Sequence, residues 1–174
     1  MTPYGHAPSW EKFSTLGKNP AEVPDGIMAK LEKLVKSDNV KQTAKEIISS
    51  GVDIPKIVRI VKNTSLYKIV PKGGRVPTGS KYWMTPQTLM NAIKSGKLEQ
   101  YLGLPLSRVA KEYEIYEITP KVDALASKII IFESKIAPTV EGAYRTTGGG
   151  RQIIIPDAGK WTKPVKVYEF TIKK

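Results

Sequence analysis

The feature that most constrains this chain is a change of hydrophobic period at Leu66. Before it, apolar residues recur at helical spacing; after it, short β-branched and aromatic runs alternate with glycine and proline. Ile27, Met28, Leu31, Leu34 and Val35 fall on one side of a helix that Asp25 is placed to cap, with Lys30, Lys33 and Lys36 on the other. A second helix is expected from Asn39 to Ser50, ended by Gly51, and a third from Ile54 to Lys62 on the strength of Ile57, Ile60 and Val61. Residues 1–25 read as an extended lead-in.

After the change, Leu66–Val70 reads as a strand, Lys72–Ser80 as a loop, and Tyr82–Met84 as a short aromatic strand. Thr85-Pro86 has the form of an N-cap followed by proline at the first helical position, and that helix is expected to stop near Gly96. Further strands are expected at Tyr113–Thr119, Lys128–Phe132, Arg151–Ile155 and Val165–Ile172. The expected class is therefore α+β: a small helical region over 1–62, then a mixed, mainly antiparallel β-rich domain over 63–174 that carries the chemistry.

Charge divides unevenly across that boundary. The whole chain is +12; residues 1–63 carry 10 basic and 7 acidic residues, and residues 64–174 carry 18 and 9. A basic surface attracts nucleic acid, phosphorylated small molecules or an acidic protein, although lysines also simply solvate a fold. No apolar run approaches a membrane span, and the first residues lack the layout of a signal peptide.

Several chemistries are excluded by what is missing. There is no cysteine and only one histidine, His6, so thiol nucleophiles, zinc knuckles and histidine-pair catalysis fall away, and a Ser-His-Asp triad is disfavoured. Glu112, Glu114 and Glu117 lie close in sequence, but strand alternation sends Glu117 away from the other two, so no carboxylate metal cage is indicated.

Two segments remain as candidates. Gly148-Gly149-Gly150 precedes Arg151-Gln152 and the apolar Ile153-Ile154-Ile155. Such glycines let a backbone approach a ligand, with Gln152 held at a pocket mouth and Arg145 and Arg151 as phosphate donors; a plain hairpin with solvated arginines has the same composition. Tyr82 and Trp83 point to opposite faces of a strand, so one enters the core while the other is available to stack on a planar ring, unless both are core.

In order, these segments resemble the tuberculosis necrotizing toxin family of NAD(P)+ glycohydrolases, whose fold is similar to that of ADP-ribosyltransferases. The likeness rests on Leu66-Tyr67-Lys68-Ile69, Gly79 to Pro86, Leu104-Pro105, Tyr113-Glu114-Ile115-Tyr116, Ala137-Pro138 and Gly148 to Gln152, and spans roughly residues 64–160. It implies that Gln152 is the catalytic glutamine and that Tyr82 or Trp83 lies beside the nicotinamide. It also implies that Lys68 stands where the family has a phosphate-binding arginine, and Glu114 where the tuberculosis toxin has a histidine. The last two are departures, as is the longer loop between the first two strands.

The resemblance further implies NAD(P)+ as substrate, no metal and no other cofactor. It implies a cognate immunity protein, which the basic charge of residues 64–174 marks as acidic, and delivery as the C-terminal part of a larger secreted protein that acts in the cytoplasm of a target cell. ADP-ribosyl transfer, with Glu141 or Glu114 near the acceptor, and RNA cleavage by Lys and Arg stay open, as does a non-enzymatic nucleic-acid-binding module. Two consequences are expected at this level: residues 1–62 are dispensable for catalysis, and Gln152→Ala keeps the fold while losing most activity.

Overall fold

The computed structural model describes residues 25–35, 40–49, 56–59, 64–76, 79–121 and 129–172. The lead-in before Asp25, including His6, lies outside them. In chain order the elements are α1 (Asp25–Leu34), α2 (Val40–Ser49), β1 (Lys56–Arg59), β2 (Leu66–Pro71), β3 (Tyr82–Trp83), α3 (Pro86–Lys94), α4 (Leu98–Tyr101), β4 (Glu112–Ile118), β5 (Ile130–Lys135), β6 (Val140–Glu141), β7 (Tyr144–Arg145), β8 (Arg151–Ile154) and β9 (Val165–Thr171). The chain is α+β, and its strand pairs are antiparallel. Among the described residues no helix is long and apolar enough to cross a membrane.

Two sheets carry the fold. One has the order β1-β5-β8-β3 and the other β2-β4-β9; β6 and β7 form a separate hairpin. The two sheets meet where Tyr67 and Met84 exchange backbone hydrogen bonds, each 2.8 Å long. Successive side chains of a strand face opposite sides, so the β-branched runs feed two apolar clusters. The first joins Ile69, Tyr82, Phe132 and Ile154 with Leu31, Val35 and Ala44 from the N-terminal helical part. The second joins Leu66, Trp83, Ile118, Ile153, Ile155 and Trp161.

The start and end of α3 follow the local chemistry. Thr85 accepts a hydrogen bond from the Thr88 amide at 3.2 Å, Pro86 begins the helix, and Gly96 adopts φ +68° just past Ser95. Asp25 is the first residue of α1 rather than a cap before it.

The third expected helix is a correction. Lys56–Arg59 forms β1, antiparallel to β5 with Lys56 opposite Glu133 and Arg59 opposite Ile130. Four residues are too few for periodicity to separate helix from strand, and pairing with a distant strand decides the matter. The N-terminal part therefore completes a sheet of the C-terminal part and supplies side chains to its main core.

The glycine run serves packing. Gly148 has φ +63°, and a Cβ there would lie 2.6 Å from the Ile136 carbonyl oxygen; at Gly150 it would lie 2.9 Å from the Tyr101 ring. The Gly149 amide donates to Ile136 O and the Gly150 amide to Tyr101 O. Gly148→Ala adds a left-handed backbone penalty of about 1–2 kcal/mol to a backbone clash. It is expected to cost at least about 2 kcal/mol and to lower Tm by several degrees in thermal unfolding.

Candidate functional site

A cleft of about 540 Å³ opens on the second apolar cluster, a size in the range of small-molecule sites. Its floor is Trp83, Ile118 and Ile155, with Tyr116 and Trp161 as further aromatic walls. Arg75, Lys121 and Lys163 bring positive charge, Ser80 and Thr162 bring hydroxyls, and among the described residues no carboxylate lines the cleft.

Three pieces of local structure bring these groups together. The β2 strand ends in a tight turn in which the Gly74 amide donates to Pro71 O at 2.8 Å, delivering Gly74 and Arg75 to one edge. The end of β4 is stitched to the segment around Trp161. Thr119 and Thr162 exchange hydrogen bonds of 3.0 and 2.8 Å, Pro120 bridges Trp161, and the Lys121 amide donates to Lys160 O. Asp157 accepts from the Gly159 amide at 3.0 Å and fixes the short 3₁₀ turn Ala158–Lys160 before Trp161. Trp83 is set by β3–β8 pairing, opposite Ile153, and its indole Nε1 donates to Ser80 O at 2.9 Å.

Beneath the floor lies Lys68, with no exposed surface. Its Nζ is hydrogen-bonded to Ser80 Oγ and stands 5.1 Å from the centre of the Trp83 ring. Two effects oppose each other at this amine. A cation over an aromatic face gains about 0.5–2 kcal/mol, whereas burying an ammonium costs several kcal/mol even after relaxation. Burial wins, reinforced by repulsion from Arg108, and the lysine pKa is pushed well below its ordinary value.

The residues singled out in the sequence fall in different places. Trp83 lines the cleft and Lys68 lies under it, bonded to a lining residue. Tyr82, one position from Trp83, turns into the first apolar cluster. Gln152 faces the same way as Ile154, away from the cleft-lining Ile155; it is fully buried, and its Nε2 donates to Ser134 Oγ at 2.9 Å. Glu114 accepts from the Gly73 amide at 2.6 Å and pairs with Lys166 at 3.2 Å, so it braces the β2 turn rather than lining the cleft. The Gly73 hydrogen bond, then Lys166, holds its carboxyl below the ordinary range. Arg151 pairs with Glu133 at 3.1 Å, and Arg145 is exposed on β7. The structure thus brings Lys68 and Trp83 together and leaves Tyr82, Gln152, Glu114, Arg145 and Arg151 outside the cleft lining.

Sequence reasoning did not single out Arg75, Ser80, Tyr116, Lys121, Trp161, Thr162 or Lys163 as site residues. The only signal at Trp161 was a large aromatic inside a stretch composed like a loop. Among the described residues no group of His, Asp and Glu is arranged to hold a metal ion. No protein-family model matches the chain, and no curated protein matches it.

Proposed function

We propose that the chain is an NAD(P)+-cleaving toxin domain whose substrate binds in the Trp83 cleft. One observation carries this reading: an apolar, aromatic floor and three cationic side chains share one cleft, with no carboxylate among its described lining residues. A dinucleotide needs both halves of that arrangement. Its pyrophosphate meets Arg75, Lys121 and Lys163, and its rings lie against the apolar floor beside the partly exposed Tyr116, since Trp83 and Trp161 are themselves buried. Nicotinamide is a good leaving group once its ring nitrogen is quaternary, so the protein has to position the ribose and admit a nucleophile. Ser80 and Thr162 are the hydroxyls at hand.

The likeness to the necrotizing toxin family, with its ADP-ribosyltransferase-like fold, supports the same reading through the order of its segments. Hydrolysis is favoured over transfer, because neither Glu114 nor Glu141 lines the cleft. An acidic immunity protein that covers the basic rim fits this reading through charge complementarity, as does action in the cytoplasm of a target cell after delivery. RNA cleavage is the second reading, favoured by the cationic side chains Arg75, Lys121 and Lys163 around the cleft, which suit a phosphodiester as they suit a pyrophosphate.

Incubation of the purified chain with NAD+, NADP+ or RNA, each with a chelator present, separates the two readings. The expected products are nicotinamide and ADP-ribose or its phosphate, with RNA left intact. Intact dinucleotides beside shortened RNA reverse the assignment.

A further inference from the structure

We propose that Lys68 and Ser80 form a base–nucleophile pair, in which Ser80 Oγ attacks the anomeric carbon of a ribose held in the cleft and hands its proton to Lys68 Nζ. This deepens the NAD(P)+ reading and rests on it for the substrate. The two side chains are hydrogen-bonded to each other across the boundary between core and cleft: Lys68 is sealed beneath, and Ser80 is part of the lining. The serine backbone is pinned by the indole of Trp83, which also forms the floor. A serine hydroxyl is a weak nucleophile until an adjacent base takes its proton, and a lysine serves as that base only when it is neutral. Burial supplies this condition, since it drives the Lys68 pKa well below its ordinary value.

The step balances without a further reactant than water. The bond from C1′ to the nicotinamide nitrogen breaks with its electron pair going to the ring, which leaves neutral. The Ser80 Oγ–C1′ bond forms, and the serine proton moves to Lys68. Water then adds its oxygen to C1′ as the O-glycosidic bond breaks, Lys68 returns its proton to the departing Ser80 Oγ, and the water's second proton leaves through the cleft to solvent, so one proton appears for each NAD+ cleaved.

The pair is tested on the full chain with two readouts, nicotinamide release from NAD+ and covalent labelling by a fluorophosphonate. In the label, the P–F bond breaks, fluoride leaves, and the P–O bond forms on serine. Ser80 is expected to be the labelled residue, identified by peptide mass spectrometry. Labelling and turnover are expected to rise with pH as Lys68 loses its proton, at values below those of an ordinary lysine. Lys68→Met and Lys68→Arg are each expected to lose about 10²-fold or more in both readouts, the arginine because it keeps its proton at every working pH. Ser80→Ala is expected to bind ADP-ribose as the parent does and to release no nicotinamide; it carries the test if the Lys68 variants fail to fold.

Normal NAD+ cleavage by Ser80→Ala overturns the pair and leaves the NAD(P)+ reading standing. Lys68-dependent labelling of Ser80 in a protein that leaves NAD+ intact does the reverse. A Ser80 that stays unlabelled, or labels equally well in Lys68→Met, overturns the pair whatever NAD+ does.

Discussion

Deletion of residues 1–62 is expected to abolish cooperative folding of the remainder. The cut removes Leu31, Val35 and Ala44 from the cluster that contains Ile69, Phe132 and Ile154, and it strips β5 of its partner β1. Burying a Leu or Val side chain contributes about 1.5–3 kcal/mol, and native domains have only about 5–15 kcal/mol in hand. The apolar surface left behind and a newly open β5 edge, Ile130–Lys135, also invite association between chains. Thermal unfolding of the remaining 63–174 fragment followed by circular dichroism is expected to give no sharp transition. A fragment that unfolds cooperatively at the temperature of the full chain would show that the N-terminal contacts are dispensable, as the period change at Leu66 suggests when taken alone.

Gln152→Ala has the second large expected effect, and it is on stability. The side chain is buried on the core face of β8, and its loss leaves the Ser134 hydroxyl buried without this donor. An abandoned buried polar group costs about 1–3 kcal/mol, and the space vacated in a packed core adds to this. A total of about 2–4 kcal/mol lowers Tm by roughly 5–15 °C for a chain of this size. Activity per folded molecule is expected to stay within a few-fold of the parent, because the cleft lies on the other side of the sheet. Adding Ser134→Ala to Gln152→Leu is expected to recover part of the loss, since removing both polar partners together avoids the unsatisfied group. An unchanged Tm with activity lost would instead return Gln152 to the chemistry.

The parts of the fold that were legible depend on neighbours in sequence. Thr85-Pro86 and Gly96 bound a helix because capping and left-handed backbone are local chemistry, and the strand runs announce themselves by alternation. Tyr82 and Trp83 do point to opposite faces, as alternation requires. The strand at Lys56–Arg59 was hidden because its partner is more than 70 residues away. The Gly148–Gly150 run was legible as a place of close approach, but the sequence does not say what approaches; the neighbours are Ile136 and Tyr101. The cleft is the least legible part. Ser80, Tyr116, Lys121, Trp161 and Lys163 come from separate segments, and only the pairing of the chain after β4 with the Trp161 segment brings several of them to one edge.

The central claim is that the Trp83 cleft, with its cationic rim, is the nucleotide site. Calorimetric titration of ADP-ribose into the parent and into the Arg75→Glu/Lys163→Glu variant, at low and at moderate salt, tests it most directly. Both side chains line the cleft, and Arg75 is exposed at its edge, so the exchange reverses charge where the phosphates are placed and leaves the core untouched. The account predicts binding by the parent that weakens as salt screens the charges, and a loss of about tenfold or more in the variant at unchanged Tm. Equal affinity in parent and variant would place the nucleotide elsewhere, and no binding by either would contradict the claim outright.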